Sequence, residues 1–246
     1  MMPSHFIITG TSRGIGEQVA RMLLEKDHLV YGISRGKSNV LLNYSNFKPI
    51  HFDLSHILGI EGLLKDIFNQ MDIDDSEMIC LINNAAMIEP LKSIELCQPE
   101  EINENLQISL IAPMVLASSF IKLTENITSI RRKIMNISSG SGTYPAPAMS
   151  VYCTAKAGIN MFTQCVGAEQ AKQHNPIEII AVDPGMVETE MQRIARGKSA
   201  QQFEMAKFFE HAHQSGQLQS TERLGSHLLN LIDKKFEPGR LVNYSD

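Results

Sequence analysis

Apolar positions along the chain follow two alternating rhythms. Short runs rich in β-branched residues predict seven strands: HFIIT (5–9), LVYGIS (29–34), PIHFD (49–53), MICLIN (78–83), KIMNIS (133–138), IEIIAVD (177–183) and RLVNY (240–244). Several are almost continuously apolar, as parallel strands covered on both faces must be. Between them, apolar residues recur at helical spacing over 14–25, 57–71, 99–126, 150–173 and 221–233, with Pro99 placed for a first helical turn. The alternation predicts an α/β fold: one doubly wound, parallel, seven-stranded sheet with helices on both faces. Two stretches break the rhythm. Residues 35–48 are too few for a full-sized helix. The long stretch 188–220 carries Met191, Phe203, Met205, Phe208 and Phe209, which suits either a substrate lid over an apolar ligand or an amphipathic helix pair packed on the body.

Composition leaves this picture intact and narrows the function. No linker, change of composition or internal repeat divides the 246 residues, and 43% apolar with 20% charged residues suits a single domain over 1–246 with a sizeable core. Lys and Arg number 22 against 27 Asp and Glu, a formal net charge of −5, so there is no basic stripe for a nucleic-acid backbone and no nucleic-acid partner is expected. Cys80, Cys97, Cys153 and Cys165 form no CxxC pair and read as reduced thiols. His211 and His213 lack the spacing of a zinc motif, so no metal is expected. No run approaches about 18 consecutive apolar residues. The opening MMPSHFIITG enters a strand at once, unlike a signal peptide, which predicts a cytoplasmic protein with no membrane partner.

Candidate chemistry gathers where strands end. The first strand runs into Thr9-Gly10-Thr11-Ser12-Arg13-Gly14-Ile15-Gly16 and then a helix, a turn whose glycines let backbone amides and a helix N-terminus face a pyrophosphate. Its G-x-x-x-G-x-G spacing differs from G-x-G-x-x-G. Gly36-Lys37-Ser38 and Gly197-Lys198-Ser199 imitate an ATP loop but have Tyr31 and Gln192 where its first glycine belongs. Tyr152 and Lys156 stand four residues apart, one turn along a helix face. A cation there favours phenolate, although a free tyrosine has a pKa of about 10. That is acid/base chemistry suited to interconverting a ketone and an alcohol. Ser139, Asn83-Asn84-Ala85-Ala86 and Asp183-Pro184-Gly185 follow the ends of three other strands, so in a doubly wound sheet all of them meet at one carboxyl edge.

With these motifs in place, the whole chain resembles the short-chain dehydrogenase/reductase family of single-domain Rossmann enzymes. The resemblance implies NADP(H) as cofactor. Its contacts would be Gly10, Ser12, Arg13, Gly14, Ile15 and Gly16; Ser34 and Arg35; Asp53 and Leu54; Asn83, Asn84 and Ala85; Pro184, Gly185, Val187 and Thr189; and Tyr152 with Lys156. It implies Tyr152 as general acid, Lys156 as the group that binds the nicotinamide ribose and lowers the Tyr152 pKa, and Ser139 as the holder of the substrate carbonyl. More narrowly, Asn136 to Gly140, Tyr152 to Gly158, Asn160 to Thr163 and Glu188 to Gln192 resemble the bacterial benzil reductases that form (S)-benzoin, with sepiapterin reductases as relatives. The implied substrate is a small apolar or aromatic ketone or 1,2-diketone, held by Ser139 and walled by Tyr144, Met149, Met186 and Met191. A pterin ketone and a weakly active NADP(H)-binding sensor are the alternatives; Asn243 stands where sepiapterin reductases carry a pterin-anchoring carboxylate. The family's usual dimer helices match 99–126 and 150–173, implying a homodimer or homotetramer. Two positions depart from the pattern. Ala86 replaces a glycine, and Ser109 replaces the fourth catalytic residue, an Asn, when Leu110 to Pro113 is aligned; Asn105, one turn earlier, fits less well. Ser109 is therefore expected to hold the relay water loosely. No acidic residue ends the second strand, while Arg13 and Arg35 lie near it, which predicts NADPH over NADH.

Overall fold

The structure is a computed structural model that describes residues 3–74 and 76–244; Met1 and Met2, on which the N-terminal reading partly rests, lie outside it. Seven strands form one sheet: β1 (His5–Thr9), β2 (Leu29–Ser34), β3 (Phe47–His51), β4 (Met78–Asn83), β5 (Arg131–Ile137), β6 (Glu178–Asp183) and β7 (Arg240–Asn243). Their order is β3-β2-β1-β4-β5-β6-β7, and every pairing is parallel. The order reverses between β1 and β4, which opens a crevice beyond the carboxyl ends of the strands.

Alternation within each strand divides the core between the two faces. Phe6 and Ile8 of β1, Cys80 and Ile82 of β4 and Ile180 and Val182 of β6 pack beneath α1 (Gly14–Leu24) and α8 (Thr221–Asp233). Ile7, Ile79, Leu81, Ile134 and Ile179 point the other way, toward α2 (Ile60–Phe68), α4 (Ala112–Leu123) and α5 (Ser150–Gln170). The strands read as apolar runs because neither face meets water.

Several boundaries differ from the sequence reading. β3 starts at Phe47 and ends at His51, because Asp53 turns the chain by accepting the Ser55 N–H at 2.9 Å. Pro49 is tolerated because β3 is an edge strand. The 57–71 segment is a 3-10 turn followed by α2, and the 35–48 stretch holds a 3-10 turn, Leu41–Asn43, and the first two residues of β3. The helix over 99–126 comprises α3 (Pro99–Leu106), a π turn (Gln107–Ile111) and α4. By length and hydropathy Pro99–Leu123 passes as a membrane span, contrary to the run-length argument. Its Ala112, Leu116, Ala117 and Phe120 are fully buried in the second core, which marks it as a sheet-covering helix. The 188–220 stretch forms α6 (Glu190–Arg196) and α7 (Ala206–Gln214). Phe203, Ala206 and Phe209 pack with Ile88, Leu91, Met149 and Tyr152 in a third, smaller core.

Candidate active site

One cleft of about 910 Å³ runs along the carboxyl edge of the sheet, from Arg13, Arg35 and Asp53 to Met205, Phe208 and Phe209. At one end, the turn between β1 and α1 adopts a backbone open to glycine: Gly10 has φ +75 and Gly14 φ +64. A Cβ at Gly16 would collide with the Gly10 carbonyl, so this glycine lets α1 start tight against the turn. No side chain caps α1, which leaves its first amides available to an anion. Thr9 joins the ends of β1 and β4: its Oγ1 accepts from the N–H groups of Asn84 at 2.9 Å and Ala85 at 3.0 Å, while Asn84 Nδ2 donates back to the Thr9 carbonyl at 2.9 Å.

Both arginines singled out for cofactor choice meet carboxylates. Arg13 pairs with Glu190, the first residue of α6, at 3.3 Å, and Arg35 pairs with Asp53 at 3.5 Å. The Ser55 backbone N–H, aided by Arg35, holds the Asp53 carboxyl below the usual carboxylate range. Uncapped amides, two exposed cations and a long cleft form a place that could hold a dinucleotide.

Ser139, Tyr152 and Lys156 meet at the other end, at the close of β5 and the start of α5. Tyr152 is buried, and that burial pushes its hydroxyl up to about 12; the Ser139 hydroxyl opposes the rise by hydrogen bonding, and the Asp183 charge adds to it. The Lys156 ammonium donates to the Ile137 carbonyl at 2.7 Å and lies 5.6 Å from the centre of the Tyr152 ring. Burial lowers it to about 8, against the attraction of Asp183. Among the protein's own groups, therefore, Lys156 does not produce the lowered tyrosine expected from its spacing, because desolvation outweighs a cation that faces a carbonyl. The phenol stays protonated, with its oxygen 4.0 Å from Met191 Sδ.

The cleft gathers nearly all the residues named from sequence, including Ser12, Ile15, Ser34, Leu54, Tyr144, Met149, Pro184, Gly185, Met186, Val187 and Thr189. Gly16, Asn83 and Ser109 are not in its wall. Asn83 is buried, and its Nδ2 donates to Asn136 Oδ1 at 2.8 Å, tying β4 to β5. Ser109 is buried in the π turn, where its Oγ accepts the Met87 N–H at 3.0 Å. Met87, Ile88, Glu89, Gln192 and Met205 line the cleft without having been named as site residues. Only the abundance of Met and Phe over 188–220 pointed toward part of this wall. Among the described residues no cluster of His, Cys, Asp or Glu could hold a metal, and the four cysteines are free.

The model of the short chain dehydrogenase family matches residues 4–199. Benzil reductase ((S)-benzoin forming) of Bacillus cereus is 36% identical over 98% of this chain and 99% of its own length. Sepiapterin reductase of Bos taurus is 25% identical over 98% and 94%. Among solved structures, the KRED1-Pglu enzyme superposes with a TM-score of 0.82 at 23% identity, covering 97% of this chain and 100% of its own. ElxO with NADP bound does so with a TM-score of 0.76 at 20% identity, covering 99% and 97%.

Proposed function

The chain belongs to the short-chain dehydrogenase/reductase family of oxidoreductases, and from that premise we propose that it is an NADPH-dependent carbonyl reductase of apolar, aromatic ketones and 1,2-diketones. The observation that carries the reading is a protonated, buried Tyr152 beside Ser139, in a cleft whose wall is built from Ile88, Met149, Met191, Met205 and Phe209. Methionines adapt to flat rings of varied shape. When bound along the cleft, NADPH would supply the hydride for the carbonyl carbon. The Ser139 hydroxyl orients the carbonyl oxygen, and Tyr152 donates its proton to that oxygen as the alcohol forms. Lys156 steadies the phenolate left behind and would hold the ribose hydroxyls of the cofactor. Solvent protons restore the tyrosine.

NADPH is preferred because Arg13 and Arg35 flank the end of β2, where Ser34 stands in place of a ribose-binding acid. A charge-assisted hydrogen bond contributes about 1.5–3 kcal/mol, so roughly tenfold discrimination is within reach of one good contact. Exposed Ile111 at the end of the π turn, Met114 of α4 and Met161 of α5 support self-association through this helix pair. The test is NADPH consumption by the purified protein with benzil and a panel of ketones, beside titration with NADPH and NADH. Consumption with aromatic diketones and tighter NADPH binding are expected. Equal affinity for the two cofactors, or no turnover of any ketone, overturns the reading.

A further inference from the structure

Asn105 belongs to no motif and lines no cleft, yet it is fully inaccessible to solvent near the end of α3. Its amide nitrogen donates to two carbonyls of a separate segment, Met87 at 2.9 Å and Glu89 at 2.6 Å. One turn on, Ser109 takes the N–H of the same Met87 at 3.0 Å. The two side chains therefore hold both polar backbone groups of one residue. The π turn that contains Ser109 widens the helix between them, and such turns gather at functional sites.

The held segment has two outward duties. Met87, Ile88 and Glu89 all line the cleft, and Ile88 packs in the small core with Tyr152, Met149, Phe203 and Phe209. Glu89 also reaches across to the 188–220 segment, where its carboxylate meets Lys198 Nζ at 2.6 Å. Thus the carbonyl of Glu89 is gripped from beneath by Asn105 while its side chain receives the cover from above.

We propose that Asn105 is a positioning residue for carbonyl reduction: by holding the Met87 and Glu89 carbonyls it fixes the wall against which the 188–220 cover docks and the substrate lies. The inference rests on the carbonyl-reductase reading for its kinetic consequence but not for its structural one. Displacing such a wall by a fraction of an ångström misaligns the substrate and leaves the cofactor end, built on Thr9 and Asn84, untouched. Asn105 Oδ1 has no partner among the described residues, so only the donating half of the amide is engaged.

Asn105→Asp preserves shape and replaces the donor with an oxygen that repels both carbonyls. At neutral pH it is expected to lower kcat/KM for benzil at least about tenfold, with the NADPH dissociation constant unchanged within about twofold. Trypsin should cut faster at Arg196, Lys198 and Lys207. Acidification should restore part of the activity, because a protonated Asp regains one donor. Asn105→Ser, which keeps one donor on a shorter, uncharged side chain, should fall between the two proteins and carries the test if Asn105→Asp does not fold. A folded variant with wild-type kinetics and wild-type trypsin resistance overturns the proposal, as does a parallel loss of NADPH affinity. The protease measurement needs no substrate. If the wild-type protein reduces no ketone, the proposed function fails while the clamp is still decided by the cutting rate.

Discussion

Tyr152 and Lys156 were legible as a pair because helical periodicity puts them on one face. The direction of their proton affinities was not, since it depends on what covers them: Met191 arrives from α6, and the Ile137 carbonyl takes the ammonium. A phenol held at about 12 carries its proton throughout the neutral range, as the proposed donor role in reduction requires. Tyr152→Phe should lower turnover by about 10²–10⁴-fold, with NADPH affinity nearly unchanged, in steady-state assays paired with cofactor titration. For the proposed reduction, Lys156 is expected to set the pH limit. Its folded value of about 8 lies below that of a free lysine, so its charge is lost as pH rises through about 8. The rate of NADPH-driven reduction should hold up to that point and decline above it. A pH profile flat to about 10 would assign the limit to some other group.

The π turn shows how an element hides from its own sequence. A helix over 99–126 follows from apolar spacing, and a widened turn within it leaves that spacing almost unchanged. What demands it is the meeting of Ser109 with a backbone amide on another segment, a partner invisible to local periodicity. Ser109→Ala leaves the half-buried Met87 N–H without its acceptor beside a buried helix position. The cost should be about 1–3 kcal/mol, seen as a thermal midpoint several degrees lower, with slower ketone turnover. Ser109→Asn brings a second amide to a place Asn105 already serves, so it should raise ketone turnover only if Asn105 yields its hold on Met87. Strand ends were misread for a related reason: Phe52 and Asp53 look like β3, but the Asp53 side chain caps the next turn.

At the scale of the molecule, the alternation of strands and helices was enough to give a parallel sheet with its motifs on one edge, because only that edge brings the turns after β1, β4, β5 and β6 together. Which ionic pairs form across that edge was not readable, as Arg13 and Glu190 are distant in sequence and meet only after α6 folds back. Their pairing, and that of Arg35 with Asp53, means the cleft comes with resident counter-ions. If the proposed NADPH phosphate docks on these arginines, it must swap places with a carboxylate, and this end of the cleft then acts as an ion exchanger rather than a bare positive patch. Added salt then screens the outgoing pair as well as the incoming one, and the two effects largely cancel. Titrations at rising ionic strength should show the NADPH dissociation constant changing only shallowly. Glu190→Gln, by leaving Arg13 without its resident anion, should tighten NADPH binding at low salt and make it lose affinity more steeply as salt is added.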